Sequence, residues 1–211
     1  MEHVIFDTNA YRYLVKGKSY KDIDGYLKKI KSKEKRNGIS TFISPIVARE
    51  LLAHLADKKD PSFDICLNAT KAMYLHSSDE DGSQYNMIAS PELLIAKMYF
   101  GTSIPRKEQT YQALIQIAYH LAKKPSKYNF TKFQKNLNDN RFDVLQTENV
   151  FAQSIFDFMK SQDPISSGWD FFKEEPEKRR KLLQIVRSDQ FTIEIVSGLI
   201  LSVYFLLQQE R

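Results

Sequence analysis

At 211 residues the chain is long enough for one domain with an insertion or for two small ones, and 42% hydrophobic content with 12% aromatics fits a folded globule. Only seven glycines and seven prolines favour a mostly helical chain, and a lone Cys66 excludes an internal disulfide and makes a reducing cytoplasm the expected location. The net charge of +5 is concentrated in two basic runs, which suits a polyanionic partner, because each neutralised phosphate releases counterions.

Val4, Ile5 and Phe6 form an apolar run that ends in Asp7, Thr8 and Asn9. The pattern predicts a short buried strand that delivers a carboxylate to the carboxyl-end crevice of a parallel sheet. A helix is predicted from about residue 10, and Asp, Thr and Asn also suit the N-cap of that helix. Ile23, Leu27 and Ile30 recur at helical spacing between Ser19 and Asn37, with Gly38 as the stop. Alternation of apolar and β-branched residues over 39–43 predicts a second strand, and Ser44 as N-cap with Pro45 at the first helical position starts another helix at once. Ile46, Val47, Leu51 and Leu52 make its apolar stripe, which leaves Glu50 beside the stripe, leaning over the sheet edge.

Residues 57–61 read as a turn, after which Pro61 restarts a helix through Cys66, Ala69 and Met73, with Cys66 a buried thiol. Residues 76–83 read as an exposed acidic loop, whose Asp79, Glu80 and Asp81 lack the alternating ligand spacing of a calcium-binding loop. Ser90-Pro91-Glu92 repeats the Ser-Pro helix start without a clean strand before it, so capping is the role expected of Glu92. Tyr111, Leu114, Ile115, Ala118 and Ala122 form a stripe over 107–123, and His120 beside it has no second His or Cys at ligand spacing. Helices are predicted at 131–137 and 141–160, the second burying Val144, Leu145, Val150, Phe151, Ile155 and Phe158.

The stretch 162–176 is the longest predicted loop, and its Trp169, Phe171 and Phe172 either plug it onto the core or stack on nucleobases. A basic helix over 176–187 follows, and Ser188 with Asp189 caps a last helix over 190–208. Its most apolar part, 195–207, is shorter than the roughly 18 to 20 residues that cross a bilayer. The residues before Asp7 lack the basic, apolar and small-residue regions of a secretion signal, so none is expected. The two basic runs are Lys28, Lys29, Lys31, Lys33, Lys35 and Arg36, and Lys178, Arg179, Arg180 and Lys181.

Strand, Asp, helix, strand, Ser-Pro, helix, Glu is an ordered signature. Through Phe6-Asp7-Thr8-Asn9 and Ser44-Pro45 to Glu50 the chain resembles the PIN domain, a family of metal-dependent nucleases, over roughly its first 57 residues and only loosely beyond. The resemblance implies an α/β fold with a small parallel sheet flanked by helices and a large, predominantly helical insertion. Residues 1–58 would be the N-terminal part of the core, 59–188 the insertion and 189–211 a late core helix. It also implies three or four acids around Mg²⁺ or Mn²⁺. Asp7 and Glu50 match the first two, Asp189 is the best match for the third with Glu194 a weaker choice, and Asn9 and Ser44 would orient a water or a neighbouring carboxylate. No fourth acid on a strand is visible, and the chain stops at Arg211 just after the last helix, so the expectation is an incomplete core or a degenerate site.

The implied activity is endonucleolytic hydrolysis of phosphodiesters, RNA ahead of DNA. The alternative is a catalytically incomplete PIN-like module that binds nucleic acid or protein. Nucleic acid is the implied partner, a second copy of the chain or an antitoxin-type protein are lesser ones, and no membrane is implied. A strand ending in Asp also opens haloacid-dehalogenase phosphatases, but those need a second Asp where Asn9 stands.

Overall fold

The structure, a computed structural model, describes residues 2–79, 84–162 and 189–209. Among these the chain is mostly helical around one two-stranded parallel sheet, and is α/β in that loose sense. Strands β1 (Glu2–Ile5) and β2 (Ile39–Phe42) pair with Val4 opposite Thr41 and Ile5 opposite Phe42. Parallel neighbours need a long crossover, which helices α1 (Thr8–Leu14) and α2 (Ile23–Arg36) supply. Gly38, at φ 69°, turns the chain from α2 into β2 in a conformation that a side chain would strain, and its carbonyl accepts from the amide of Glu2 at 2.9 Å.

The sheet extends one step further than the sequence pattern indicates. Ile43 bridges in parallel to Met87, its amide donating to the Asn86 carbonyl at 2.8 Å and its carbonyl accepting from Ile88 at 3.0 Å. An isolated bridge, and no named strand, therefore precedes the helix that opens at Pro91. Strand β1 departs from expectation too: it is not buried, and Ile5 is 49% exposed. The physical reason is one-sided packing. Thr41 and Ile43 are buried on the face where the helices lie, whereas Ile5 and His3 point to the other face.

Two compact units make up the chain, Met1–Leu94 with Pro105–Val144, and Ile95–Ile104 with Leu145–Arg211. The first contains the sheet and the main core. At its centre lies α4 (Phe63–Ser77), packed by α1, α2, α3 (Pro45–Ala53) and α6 (Pro105–Lys123). Cys66, Ala69 and Met73 on α4 are fully buried with Leu51 and Leu52 on α3, and with Ile115 and Leu121 on α6. Truncating any of these large side chains to alanine costs about 2–5 kcal/mol. The α6 stripe of Tyr111, Leu114, Ile115, Ala118 and Ala122 is buried as the spacing predicts. On α3 the stripe shifts by one residue: Ala48 is buried and Ile46 is exposed.

Polar groups on α4 tie it to α2. The buried Lys71 ammonium pairs with Asp24 and donates to the Tyr20 carbonyl at 2.8 Å. His76 Nε2 donates to the Glu34 carboxylate at 2.8 Å, with Thr41 Oγ1 at 3.4 Å. Lys31 donates to the carbonyls of Leu75 at 2.9 Å and Ser78 at 2.5 Å, at the negative end of the α4 dipole. His76, Ser77 and Ser78 are consequently buried and not part of an exposed loop, with Ser78 bridged to Tyr85. The expectation failed because the polar run was read without the lysine and glutamate that neutralise it.

The two helices predicted beyond residue 130 are one, α7 (Lys127–Gln162), since no glycine or proline interrupts that stretch. Asn140, between the two predicted helices, donates to the Arg49 carbonyl at 2.8 Å. Leu145, expected inside, is half exposed. The second unit contains the end of α5 (Pro91–Phe100), the later part of α7, and α8 (Asp189–Gln209). No helix among the described residues is long and apolar enough to cross a membrane. Glu80, Asp81, the aromatic stretch with Trp169, Phe171 and Phe172, the basic run 178–181 and Ser188 lie outside the described residues.

The His76–Glu34 pair gives a pH test. Burial lowers the His76 pKa from its ordinary 6.5, and attraction to Glu34 offsets this only in part. A base with a depressed native pKa binds its proton more readily when unfolded, so its contribution is intact above about pH 6.5 and is lost as pH falls toward the depressed native value. Unfolding in urea between pH 8 and pH 5 should show stability falling with acid, and His76→Gln should flatten that slope. An unchanged slope in the variant would remove His76 as the cause.

Candidate functional site

The predicted site residues of the first unit converge on the carboxyl ends of β1 and β2. Asp7 leaves β1 and becomes the N-cap of α1, its Oδ1 accepting from the Ala10 amide at 2.6 Å. The sequence allowed capping or chemistry for this carboxylate; capping occurs, and it occupies one of the two oxygens. Asp7 and Asn9 are exposed. Ser44 occupies the N-cap position of α3 but makes no side-chain cap bond, and Pro45 follows at the first helical position. Ser44 is buried.

Glu50 lies two turns into α3 and is half-buried. Its Oε2 accepts a hydrogen bond from the Thr8 hydroxyl. Thr8 is the residue after Asp7, so this bond ties the end of β1 to the helix that follows β2. Sequence reasoning passed over Thr8. The available signal was a hydroxyl directly after a strand-terminal aspartate, one residue inside a helix that must face its neighbour.

Asp189 is the first residue of α8 and is exposed, and Glu194 lies further along that helix; both belong to the second unit. Among the described residues no group of three or more His, Cys, Asp or Glu side chains is close enough to hold a metal ion. Within the first unit a further acid, Glu92, starts α5 just after the segment that bridges Ile43. Its Oε1 accepts from the Tyr111 hydroxyl at 3.3 Å, and Ser90 accepts from the Leu93 amide at 3.5 Å. The structure thus gives Ser90 the capping part, and Glu92 a partner across the core.

Other candidate chemistry on this unit is structural. Cys66 is buried, and desolvation pushes its thiol up to about 11, which suppresses the nucleophilic thiolate. His120 stacks on Phe133 with centroids 5.4 Å apart. Of the first basic run, Lys31 is spent on the end of α4, while Lys28, Lys29, Lys33 and Arg36 are exposed. A cleft of about 940 Å³ lies beside this helix, lined by Lys28, Glu34, Thr41, His76 and Lys123. It sits at the beginning of β2, the opposite end from Asp7 and Glu50. Comparisons with protein-family models, with curated proteins and with solved structures give no match to this chain.

Capping and chemistry at Asp7 can be separated by substitution. Asparagine caps a helix as well as aspartate does, so Asp7→Asn should leave the melting temperature almost unchanged, whereas Asp7→Ala should cost about 1 kcal/mol and lower it by about 2–4 °C. Thr8→Val should cost a further about 1–2 kcal/mol by stripping Glu50 of its donor, with Thr8→Ser restoring most of it. Equal melting temperatures for Thr8→Val and wild type would show that the bond contributes nothing.

Proposed function

We propose that the chain is a PIN-like, metal-dependent endonuclease that hydrolyses phosphodiesters in nucleic acid, RNA ahead of DNA. The observation that carries this reading is the Thr8–Glu50 hydrogen bond, which links two acid-bearing stretches, 42 residues apart, at the ends of neighbouring parallel strands. Ligands and reactive groups in parallel α/β folds gather at that end of the sheet.

The donor set there is entirely hard oxygen: the carboxylates of Asp7 and Glu50, the hydroxyls of Thr8 and Ser44, and the amide oxygen of Asn9. Such donors fit Mg²⁺ or Mn²⁺ and not a thiophilic metal. Asp7 and Glu50 would hold the ion. When bound, an ion of this kind lowers the pKa of its water and stabilises the leaving oxygen. The chain's own residues do the positioning. Thr8 fixes the rotamer of Glu50, the α1 cap fixes that of Asp7, and Asn9 and Ser44 orient water or a neighbouring carboxylate. Exposed Lys28, Lys29, Lys33 and Arg36 on α2 supply the attraction to a phosphate backbone.

The same basic face would serve a module that binds nucleic acid without cutting it, so the test reads cutting and binding separately. A mixed pool of RNA and DNA oligonucleotides is incubated with the protein and Mn²⁺, with and without chelator. Cleavage should depend on the metal, favour RNA, and fall at least about 100-fold in Asp7→Asn and Glu50→Gln, while oligonucleotide affinity stays within about threefold. Binding without metal-dependent cleavage in the wild type establishes the non-catalytic module instead. Full activity in both variants overturns the assignment of these acids.

A further inference from the structure

A nucleic-acid strand laid on the acid rim meets the carboxylates of Asp7 and Glu50, and each of its nucleotides adds a negative charge. An ion held by the two acids offsets part of that repulsion, and the phosphate next to the cut needs a cation of its own. Helix α2 does not bring one there. Its last turn carries Lys33, Lys35 and Arg36 and leads through Gly38 into the beginning of β2. Those charges therefore lie at the far end of a strand on the order of 13 Å long, beyond a Debye length of about 8 Å.

The nearer cations among the described residues are Arg49, His54 and Arg12. Arg49 adjoins Glu50 in sequence, but consecutive helical residues point about 100° apart, and its charge is within reach of Tyr111 on α6. His54, one turn beyond Glu50, has its Nδ1 3.1 Å from Asp60 Oδ2, and Arg141 Nη1 lies 3.6 Å from the same oxygen. Arg12 remains. It stands four residues after Thr8 on the same flank of α1, about 5–6 Å further along. It is half-buried, its Nη2 donates to Ser62 Oγ at 3.1 Å, and no described carboxylate pairs with it. Ser62 is neutral and its hydroxyl does not cap α4, so the contact orients the guanidinium without neutralising it.

We propose that Arg12 binds the phosphate adjacent to the scissile one. A guanidinium fork matches two oxygens of one phosphate, and Ser62 occupies only one of its N–H groups. One helical turn from Thr8 to Arg12 is comparable to the step between successive phosphates of a strand. Arg12 thereby sets which bond of a bound strand lies over Asp7 and Glu50. The position of the cut rests on the nuclease reading, the phosphate contact does not, and Arg12, Ser62 and both acids belong to the first unit.

Two measurements keep these apart. With chelator present, the affinity of a single-stranded oligonucleotide is followed against salt. Arg12→Gln should lower the slope of log affinity against log salt by about 0.7, the share of one phosphate, with its melting curve retained. With Mn²⁺, single phosphates of an oligonucleotide cut at one bond are replaced in turn by neutral methylphosphonates. In the wild type the neutral linkage beside the cut should slow cleavage about tenfold. In Arg12→Gln that linkage should cost nothing further, whereas in Arg36→Gln, at the far end of the sheet, it should cost the full factor. Should Arg12→Gln fail to fold, Arg12→Lys carries the second measurement: losing the fork, it should reduce the cost of the neutral linkage to about threefold. An unchanged slope in Arg12→Gln, or losses that add in full in the Arg12 variants, overturns the proposal and leaves the nuclease reading standing. A lowered slope beside a wild type that cuts nothing keeps Arg12 as a phosphate contact and removes the nuclease reading.

Discussion

Helix α4 is buried along most of its length and yet carries a lysine, a histidine, a serine and a threonine, and its ionisable groups need partners outside the helix. Lone buried charges cost several kcal/mol, and α2 is the element that removes most of that cost. It offers Asp24 to Lys71, Glu34 to His76, and returns Lys31 to the carbonyls at the end of α4. Three links spread over α2 allow one axial position of that helix against α4. Because Gly38 follows α2 directly and its carbonyl takes the amide of Glu2, the same constraint sets where β2 begins beside β1. The register of the sheet is thus fixed from a polar latch some distance away, and with it the meeting of Thr8 and Glu50.

The rim inherits a division of labour from this arrangement. Asp7 stabilises a helix of only seven residues, which is too short to hold itself by propensity and needs its cap and its buried Tyr11. A carboxylate has about four lone-pair sites, so capping through Oδ1 and ligation through the other oxygen are compatible. Glu50 is in the converse position. It is half-buried, and the Thr8 hydroxyl supplies a donor that a bare carboxylate there would lack. The two acids are therefore held by different means, one by its own helix and one by the neighbouring helix.

What the sequence made legible was local. Ile23, Leu27 and Ile30 with Gly38, Ser44-Pro45, and the α6 stripe all announce themselves through periodicity and capping, and the elements form where those signals lie. Pairing was legible only for β1 and β2, where each strand has its own apolar run. The bridge at Met87 was not, because an isolated bridge needs no alternating pattern and is selected by its partner Ile43. Buried polar residues were the weak point. His76 and Ser77 look like loop residues until Glu34, 42 positions earlier, is brought beside the imidazole. For the site, residue types and strand ends could be read from the chain, and so could a hydroxyl beside Asp7, but not its partner, since nothing local ties Thr8 to position 50.

Charge is distributed unevenly along the chain, and the distribution separates two kinds of surface. Helix α2 exposes five cations in nine residues, Lys28, Lys29, Lys33, Lys35 and Arg36, although it must also latch α4 through Lys31 and Glu34. Helix α8 has no cation at all over 21 residues. The exposed cations of α2 belong to the first unit, and a Debye length of about 8 Å at physiological salt confines their field to the neighbourhood of that helix. Apolar burial is the force available to α8, and it is nearly insensitive to salt. Raising ionic strength screens the exposed cations of α2, whereas the buried Val203 of α8 packs without a charge to screen.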